Sequence, residues 1–258
     1  MKSLITASLL LITFVGFAQQ EETVKAEIGS ISTDRPVQSE TPFTVPKKHL
    51  QGEMGFNYIS YGLIKQFDGP NLLLKYGILN NLELRFTNNY LSLQSKVGGS
   101  LQESSSGADM SIVGLKYKIL HESSNGLNLT VSGSSKLDLF ADQDYAFDEV
   151  NFLLRTTSSK TISGSWYGIV GLEYGYYDKS DDQWFYVLQT GTALAKNLTG
   201  VIEYYGYFDS TDLMHAINGA FVYLINDNHQ VDISGGFGLT DNFYDYYFQV
   251  GYSFRVGL

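Results

Sequence analysis

The sequence predicts an all-β protein: a transmembrane, antiparallel, up-and-down β-barrel of the outer-membrane type with about 12 strands. Three observations predict this fold. From about Leu50 to the last residue, segments of about ten residues alternate apolar and polar side chains between turns. A short apolar segment at the N-terminus has the features of an export signal, and the connections alternate between short and long. A strand sends successive side chains to opposite faces, so each segment has a lipid face and a lumen face.

The first element is a signal peptide over residues 1–18. Lys2 supplies the positive start, Leu4 to Phe17 form an apolar run too short to span a bilayer, and Gly16-Phe17-Ala18 form a cleavage site. We therefore expect cleavage after Ala18 and a mature protein in the outer membrane of a Gram-negative cell. The chain has no cysteine, which excludes a lipid anchor, disulfides and thiolate metal sites.

Residues 19–49 differ from the rest of the chain and predict an N-terminal arm. They are polar, they lack alternation, and they carry three of the 4 prolines, Pro36, Pro42 and Pro46. Proline fixes φ and disfavours helix at the residue before it, so the arm is expected to be extended.

Residues 50–258 form the predicted barrel. The last segment shows the pattern best, because Tyr252, Phe254 and Val256 occupy one parity up to the terminal Leu258, where assembly signals of this kind prefer phenylalanine. The twelve predicted strands cover residues 50–61, 70–78, 82–93, 108–120, 127–140, 147–158, 165–177, 183–195, 198–208, 213–225, 229–239 and 245–257.

The connections predict which rim is which. Those after even-numbered predicted strands are mostly short, at 79–81, 121–126, 195–197 and 226–228, with 159–164 somewhat longer. Those after odd-numbered strands are longer or richer in aspartate, at 62–69, 94–107, 141–146, 178–182, 209–212 and 240–244. Short periplasmic turns and long external loops are typical of outer-membrane barrels.

The alternative is a soluble β-sandwich or a lipocalin-like barrel, which also alternates. Those folds carry many Lys and Glu residues on the polar parity, whereas here that parity is rich in Gly, Ser, Thr and Asn. The membrane barrel is therefore favoured. With a net charge of −10 and no basic patch, nucleic acid is not an expected partner. The expected partners are outer-membrane lipid, lipopolysaccharide and a small-molecule solute.

If the apolar parity faces lipid, fourteen ionisable residues face inward, seven basic and seven acidic. An even mixture in a small barrel favours cross-strand pairing and a narrow or partly filled lumen. The candidates for lining a transport path are Glu53, Lys75, Glu83, Arg85, Lys116, Arg155, Glu173, Glu203 and Arg255. The remaining inward residues are Lys118, Lys136, Asp138, Glu149 and Asp232.

The sequence predicts no enzyme, metal site or cofactor. A lipase-type barrel site needs a serine, a histidine and an orienting group at the rim. Of His49, His121, His215 and His229, only His215 falls near the outer rim, beside Asp209 and Asp212. The Asp-rich loops at 142–144 and 178–182 lack the glycine and terminal glutamate of a calcium loop. Solvated loop charge, bridged to lipopolysaccharide by divalent cations, is the simpler interpretation.

The arm contains the one specific motif of the chain. It consists of Thr33-Asp34-Arg35-Pro36, Ser39-Glu40-Thr41-Pro42 and Val45-Pro46-Lys47, and it runs into Leu50-Gln51-Gly52-Glu53. The motif resembles that of the outer-membrane proteins grouped under the MetA pathway of phenol degradation and labelled transporters. Val37 stands where that family usually has aspartate, Lys48 where it has glycine, and the acidic–serine order is rearranged.

The resemblance implies a channel for small hydrophobic or aromatic compounds. The residues themselves leave a second reading open, a structural or interaction barrel with an occluded lumen and no transport. We expect the arm to dock in the periplasmic half of the lumen, with Asp34, Arg35 and Glu40 pairing with Glu53, Glu83 and Arg85. The alternative is a periplasmic tail solvated by its own charges.

Overall fold

The computed structural model describes residues 28–97, 100–120, 126–146 and 149–258, so the predicted signal peptide lies outside the described residues. Across these ranges, no helix is long and apolar enough to cross a membrane. The described chain forms one antiparallel sheet. Its strands are β1 (His49–Tyr61), β2 (Ile64–Leu79), β3 (Leu82–Asn88), β4 (Tyr90–Val97), β5 (Ser100–Ala108), β6 (Ser111–Leu120), β7 (Leu127–Leu137), β8 (Asn151–Ser163), β9 (Trp166–Tyr177), β10 (Gln183–Ala195), β11 (Leu198–Phe208), β12 (Leu213–Asn226), β13 (His229–Gly238) and β14 (Tyr246–Gly257).

Twelve of these strands close into a barrel, which confirms the predicted fold class. The first and last strands pair in register from His49↔Gly257 to Ser60↔Tyr246, and β1 also pairs with β2. The ring then continues through β3 and β6 to β14. Closure leaves no open sheet edge around the ring, so its backbone groups find partners within the wall.

The other two strands form a hairpin that differs from the sequence prediction. Residues 94–107 are predicted to be a loop, but β4 and β5 pair from Tyr90↔Ala108 to Val97↔Ser100. The hairpin adds to the first half of β2 through Ile64↔Ser95 to Asp68↔Leu91 and stands outside the ring. The predicted long loop 62–69 is also wrong. The strands β1 and β2 both continue to a tight turn at Gly62, whose φ is +55°.

Most short turns between ring strands lie at one end of the barrel, here called the inner rim, and the connections at the other end, the outer rim, are longer apart from the tight turn at Gly62. Two-residue turns join β2 to β3, β8 to β9, β10 to β11 and β12 to β13. The predicted longer connection at 159–164 is wrong, because β8 runs on to Ser163. The predicted turn at 121–126 lies outside the described residues except for Gly126.

The alternation of side chains separates lipid face from lumen. On β14, Tyr246, Phe248 and Val250 are exposed on the outside, while Gln249 and Ser253 are buried inside. The neighbouring strands show the same period of two. An apolar outer surface of this kind suits acyl chains, and the polar parity lines the lumen.

The seam between first and last strands predicts one mutational effect. Phe254 lies on the outer face against Gly52, where a Cβ would overlap its ring, and it stacks with Tyr252 at 6.3 Å between ring centroids. Phe254→Asp should reduce the heat-modifiable barrel recovered in the outer membrane, because a carboxylate on the lipid face is unfavourable, by up to about a few kcal/mol near the bilayer midplane and by less near the interface. Phe254→Leu is the matched control. Normal yield of the aspartate variant would contradict a lipid-facing closing strand.

Candidate functional site: the lumen and its N-terminal arm

The arm, described here over residues 28–48, enters the barrel at the inner rim and returns to it. The Ile31 amide donates to the carbonyl of Asp227 in the β12–β13 turn at 2.7 Å. Further along, the Gln38 amide donates to the Glu203 carboxylate at 2.8 Å on the far wall. The chain then comes back to the inner rim, where the Lys48 amide donates to the carbonyl of Gly77 at 2.8 Å before β1 begins. The arm therefore forms a loop inside the inner half of the lumen.

Asp34 is the centre of a charged cluster. Its carboxylate lies 2.7 Å from the Arg85 guanidinium and 3.3 Å from the Lys75 ammonium. It also lies 3.5 Å from the Lys116 ammonium. The strand register makes this convergence possible, since Lys75 pairs with Arg85 across β2–β3 and Lys116 lies on the next strand in the ring.

Glu40, the second arm carboxylate, binds the same side of the wall. It lies 3.3 Å from Lys116, 3.5 Å from Arg85 and 3.8 Å from Arg155. Arg155 is also paired with Glu173, which faces it across β8–β9 at 2.8 Å. Arg85 and Lys116 thus each contact both carboxylates of the arm.

These cations keep both arm carboxyls ionised. Burial alone would raise the pKa of Glu40, but Arg85, Lys116 and Arg155 outweigh it and lower the pKa to about 2. Burial acts on Asp34 in the same way, and Lys116, Lys75 and Arg85 hold the pKa of its carboxyl well below its usual value. Both groups are therefore negative at any physiological pH.

Three wall glutamates accept hydrogen bonds from the arm backbone. Glu53 accepts from the amides of Asp34 and Arg35 at 2.9 and 3.0 Å. Glu203 accepts from Gln38 and Ser39, and Glu83 accepts from Val45 at 2.8 Å. The arm amides that these carboxylates accept from lie inside the lumen, where an unpaired backbone amide would be costly, so the glutamates stabilise the docked arm.

Arg35 needs two glycines in the wall. Its guanidinium lies over Gly55 and Gly251, which face each other across β1–β14, and a Cβ at either position would overlap it. From there it reaches Asn71 at 2.9 Å and Asp232 at 3.4 Å. Close approach of a side chain to the wall backbone is the physical reason for glycine at both positions.

The arm separates two cavities. The inner cavity has a volume of about 620 Å³ and is lined by Arg35, Pro36 and Val37 on the arm side and by polar wall groups such as Asn128 and Gln230. The outer cavity has about 370 Å³ and has Gln38 of the arm as its floor. Both volumes are in the range of small-molecule sites.

Aromatic side chains line the outer cavity, although the alternating pattern predicts aromatics on the lipid face. Tyr205, Tyr244 and Tyr247 are buried inside the barrel, and the Tyr205 and Tyr244 hydroxyls lie 2.5 Å apart. Phe243 packs against this group from the rim at a 4.4 Å centroid distance from Tyr244. The sequence does contain a signal for these inward-facing rings. Tyr205 has the same strand parity as Glu203, and Tyr247 has the same strand parity as Gln249.

The structure places the other sequence-predicted residues as follows. Arg255 stays apart from the cluster, at the inner rim, where it donates to the Gly29 carbonyl at 2.7 Å. Within the arm motif, Thr33 accepts from Gln230 at 2.7 Å, Pro42 lines the inner cavity, and the Pro46 carbonyl accepts from the His49 amide.

The predictions for two of the inward residues, Asp138 and Glu149, are wrong. Asp138 and Glu149 are predicted within strands, but β7 ends at Leu137 and β8 begins at Asn151. Asp138 is exposed at the outer rim, and Glu149 accepts from the Ser180 hydroxyl of a rim loop at 2.7 Å. Lys118, Lys136 and Asp232 lie within β6, β7 and β13 as predicted.

The described histidines show no catalytic arrangement. The His215 imidazole contacts the hydroxyls of Tyr186 and Tyr204, the latter at 3.0 Å, rather than a serine or the nearby aspartates. His229 bonds to Tyr252 at 2.6 Å and His49 to the carbonyl of Lys47 at 3.0 Å, while His121 lies outside the described residues. In the described ranges no three acidic, histidine or cysteine side chains are grouped to hold a metal ion.

Solved structures with a similar fold include an outer membrane channel and two porins. An outer membrane channel from Pseudomonas putida F1 matches with a TM-score of 0.68 at 11% identity, covering 86% of this chain and 100% of that one. The NanC porin matches at 0.56 and 9% identity, over 80% of this chain and 100% of its own. The KdgM porin, solved with disordered oligogalacturonate, matches at 0.50 and 12% identity, over 80% and 98%. At these identities the likeness shows the fold.

A family model also matches the sequence. The model described as "Putative MetA-pathway of phenol degradation" matches residues 33–256, from the first residue of the arm motif to the end of the closing strand. This match confirms the family resemblance predicted from the arm. No protein with a curated function matches the sequence.

Proposed function

Because the matched region covers most of the sequence, the chain belongs to the family described as "Putative MetA-pathway of phenol degradation", and we propose that it is a channel for small aromatic or hydrophobic solutes. The observation that carries the proposal is the division of the lumen into an outer aromatic cavity and an inner polar cavity by the chain's own arm. In this account the barrel is the path and the arm is its gate.

The outer cavity supports the choice of solute. Its wall combines ring faces, such as those of Tyr205, Tyr207 and Phe243, with amide groups, such as that of Asn57. The Asn57 side-chain oxygen is buried without a hydrogen-bond partner among the described residues. An aromatic solute with one polar group would stack on the rings and bond to the free acceptor.

The narrow charged lumen supports gating rather than free diffusion. Four wall cations hold the two arm carboxylates on one side of the lumen, and wall glutamates hold the arm backbone. Such a lumen admits a solute only when the arm moves. The same contacts favour the second candidate, an occluded barrel that transports nothing and meets lipopolysaccharide through its acidic outer loops. Single-channel conductance with and without the arm distinguishes the two.

We further propose that the precursor is cleaved after Ala18 and that the mature barrel resides in the outer membrane with its inner rim toward the periplasm. Lipid surrounds the apolar face, and lipopolysaccharide contacts the loops of the outer rim through bridging divalent cations. Enzymatic activity, nucleic-acid binding and a cofactor have no place in this proposal.

The aromatic cavity gives a test of solute preference. Phe243→Ala removes a ring that packs against Tyr205, Tyr207 and Tyr244, so phenol entry should slow several-fold while glycerol entry changes little. Liposome-swelling rates measure both. Phe140→Ala is the matched control, because Phe140 is an exposed rim residue that packs against Phe86 instead. An equal loss for phenol and glycerol would contradict aromatic selection.

A further inference from the structure

We propose that four wall cations form a binding site for aromatic monocarboxylates, and that in the docked state the arm occupies this site with its own Asp34 and Glu40. This inference rests on the proposed function, since it names the solute class and the event that opens the channel. The four cations, here called the basic tetrad, are Lys75, Arg85, Lys116 and Arg155.

Lys116 is the strongest sign of an exchangeable ligand. Its side chain is fully buried, and among the described residues its ammonium bonds only to the arm. The partners are Asp34 at 3.5 Å, Glu40 at 3.3 Å and the Thr41 carbonyl at 2.8 Å. A buried ammonium with no wall partner is costly unless a carboxylate or water replaces the arm when the arm leaves.

The cations that bind the arm already form a carboxylate-binding site. Arg85 and Lys116 each contact both arm carboxylates, and Arg85 approaches Asp34 to 2.7 Å. Charge-assisted bonds of this length suit a carboxylate from any source. The arm side chains therefore show where the oxygen atoms of a solute would lie.

The charge of the wall favours a monoanion. The tetrad carries four positive charges, and the wall carboxylates that pair with it, Glu53, Glu83 and Glu173, carry three negative charges. One positive charge therefore remains when the arm is absent. A single carboxylate neutralises it, whereas the two carboxylates of the docked arm bring the sum to −1, so replacing the arm with a monocarboxylate removes an excess negative charge from a partly desolvated lumen.

The aromatic part of the proposed ligand follows from Arg155. Its guanidinium lies 4.7 Å from the centroid of the Phe185 ring, and Phe185 packs against Tyr205 and Tyr207 of the outer cavity. The same guanidinium donates to the carbonyl of Gln38, the floor of that cavity, at 3.1 Å. A solute entering from the outside thus meets rings first and Arg155 next, so a ring and a carboxylate in one molecule match the site.

Binding and gating are then one equilibrium. A carboxylate that binds the tetrad only when the arm is away shifts the population toward the undocked state, in proportion to its occupancy of that state. A neutral aromatic solute enters the outer cavity but has no charge with which to replace Asp34 and Glu40.

The test uses the full chain, which has no native cysteine. Ser39→Cys places a thiol on the arm at a position that is 2% exposed when docked, so the rate of its reaction with a charged methanethiosulfonate reports release. Benzoate should raise this rate on the order of tenfold at saturation. Acetate should act only at much higher concentration, and benzyl alcohol should leave the rate unchanged.

Three variants in the Ser39→Cys background complete the design. Lys116→Met should raise the basal labelling rate and abolish the response to benzoate, whereas Lys196→Met, an exposed lysine of the β10–β11 turn, should keep both at the parent values. Lys116→Arg keeps the charge and should keep the response. Heat-modifiability on gels shows that each variant contains a folded barrel.

Equal responses to benzoate and benzyl alcohol, or a full benzoate response in Lys116→Met, would overturn the inference. An unchanged labelling rate with benzoate would also overturn the inference. If the arm-deleted protein conducts in that case, the proposed channel function is still supported. Absence of conductance even without the arm would instead overturn the proposed function.

Discussion

Deleting residues 28–46 should raise single-channel conductance several-fold while the barrel stays heat-modifiable. The arm forms the floor of the outer cavity and one wall of the inner cavity, so its removal joins the two into one water-filled path. The barrel should survive, because β1 starts at His49 and its pairing with β14 and β2 does not use the arm. Planar-bilayer recordings of the purified proteins measure the change.

The matched control shortens the hairpin of β4 and β5, which stands outside the ring. Its conductance should stay near the parent value. If the arm deletion leaves conductance unchanged in an intact barrel, then the arm does not limit the path, and the occluded structural barrel becomes the better reading.

Neutralising the two arm carboxylates should have the next largest effect. In Asp34→Asn with Glu40→Gln, the tetrad loses both carboxylates that bridge it, although the shape of the arm is kept. Breaking a buried ion pair by removing one partner costs about 3–5 kcal/mol, and water in the lumen reduces that figure. Docking should weaken enough for the open fraction to approach that of the arm deletion.

Cysteine labelling offers a second readout of the same variant, since position 39 of the arm is only 2% exposed when the arm is docked. In the Ser39→Cys background, the variant should react with a charged methanethiosulfonate much faster than the parent. Asp138→Asn with Asp144→Asn, at exposed positions of the outer rim, is the control for lost charge. Parent-like conductance and protection in the double arm variant would mean that backbone bonds to the wall glutamates hold the arm on their own.

The ring of strands could be predicted from sequence because its signal is local. Alternation in β14 and its neighbours depends on residues two apart, and turn residues such as Asn80 and Asn197 mark where each strand ends. The β4–β5 hairpin could not be predicted, because Ser104, Ser105 and Ser106 carry no alternation. Because both faces of the hairpin lie outside the ring, neither face lines the lumen, and the sequence has no reason to alternate apolar and polar residues there.

The partners within the lumen could not be predicted, because they depend on the register of distant strands. The motif indicated that Asp34, Arg35 and Glu40 would meet lumen charges, and the structure brings Asp34 to Arg85 and the Arg35 amide to Glu53. The motif alone pairs neither Lys75 nor Lys116 with the arm. Lys48 is a further example of a feature that the sequence does not predict. Its φ of +59° explains why the family usually has glycine at this position, but this φ is known only from the backbone of the structure.

The central claim is that the arm sits in the lumen and closes it, and a reversible crosslink tests this most directly. Ser39 on the arm contacts Gln189 on β10, so Ser39→Cys with Gln189→Cys places two thiols together in a chain without native cysteines. A short bis-methanethiosulfonate crosslinker should hold the channel in its low-conductance state, and dithiothreitol should restore the gated activity. The single variants should not respond to the crosslinker in this way. Failure of the two cysteines to crosslink in a folded barrel, or full conductance with the crosslink in place, would contradict the account.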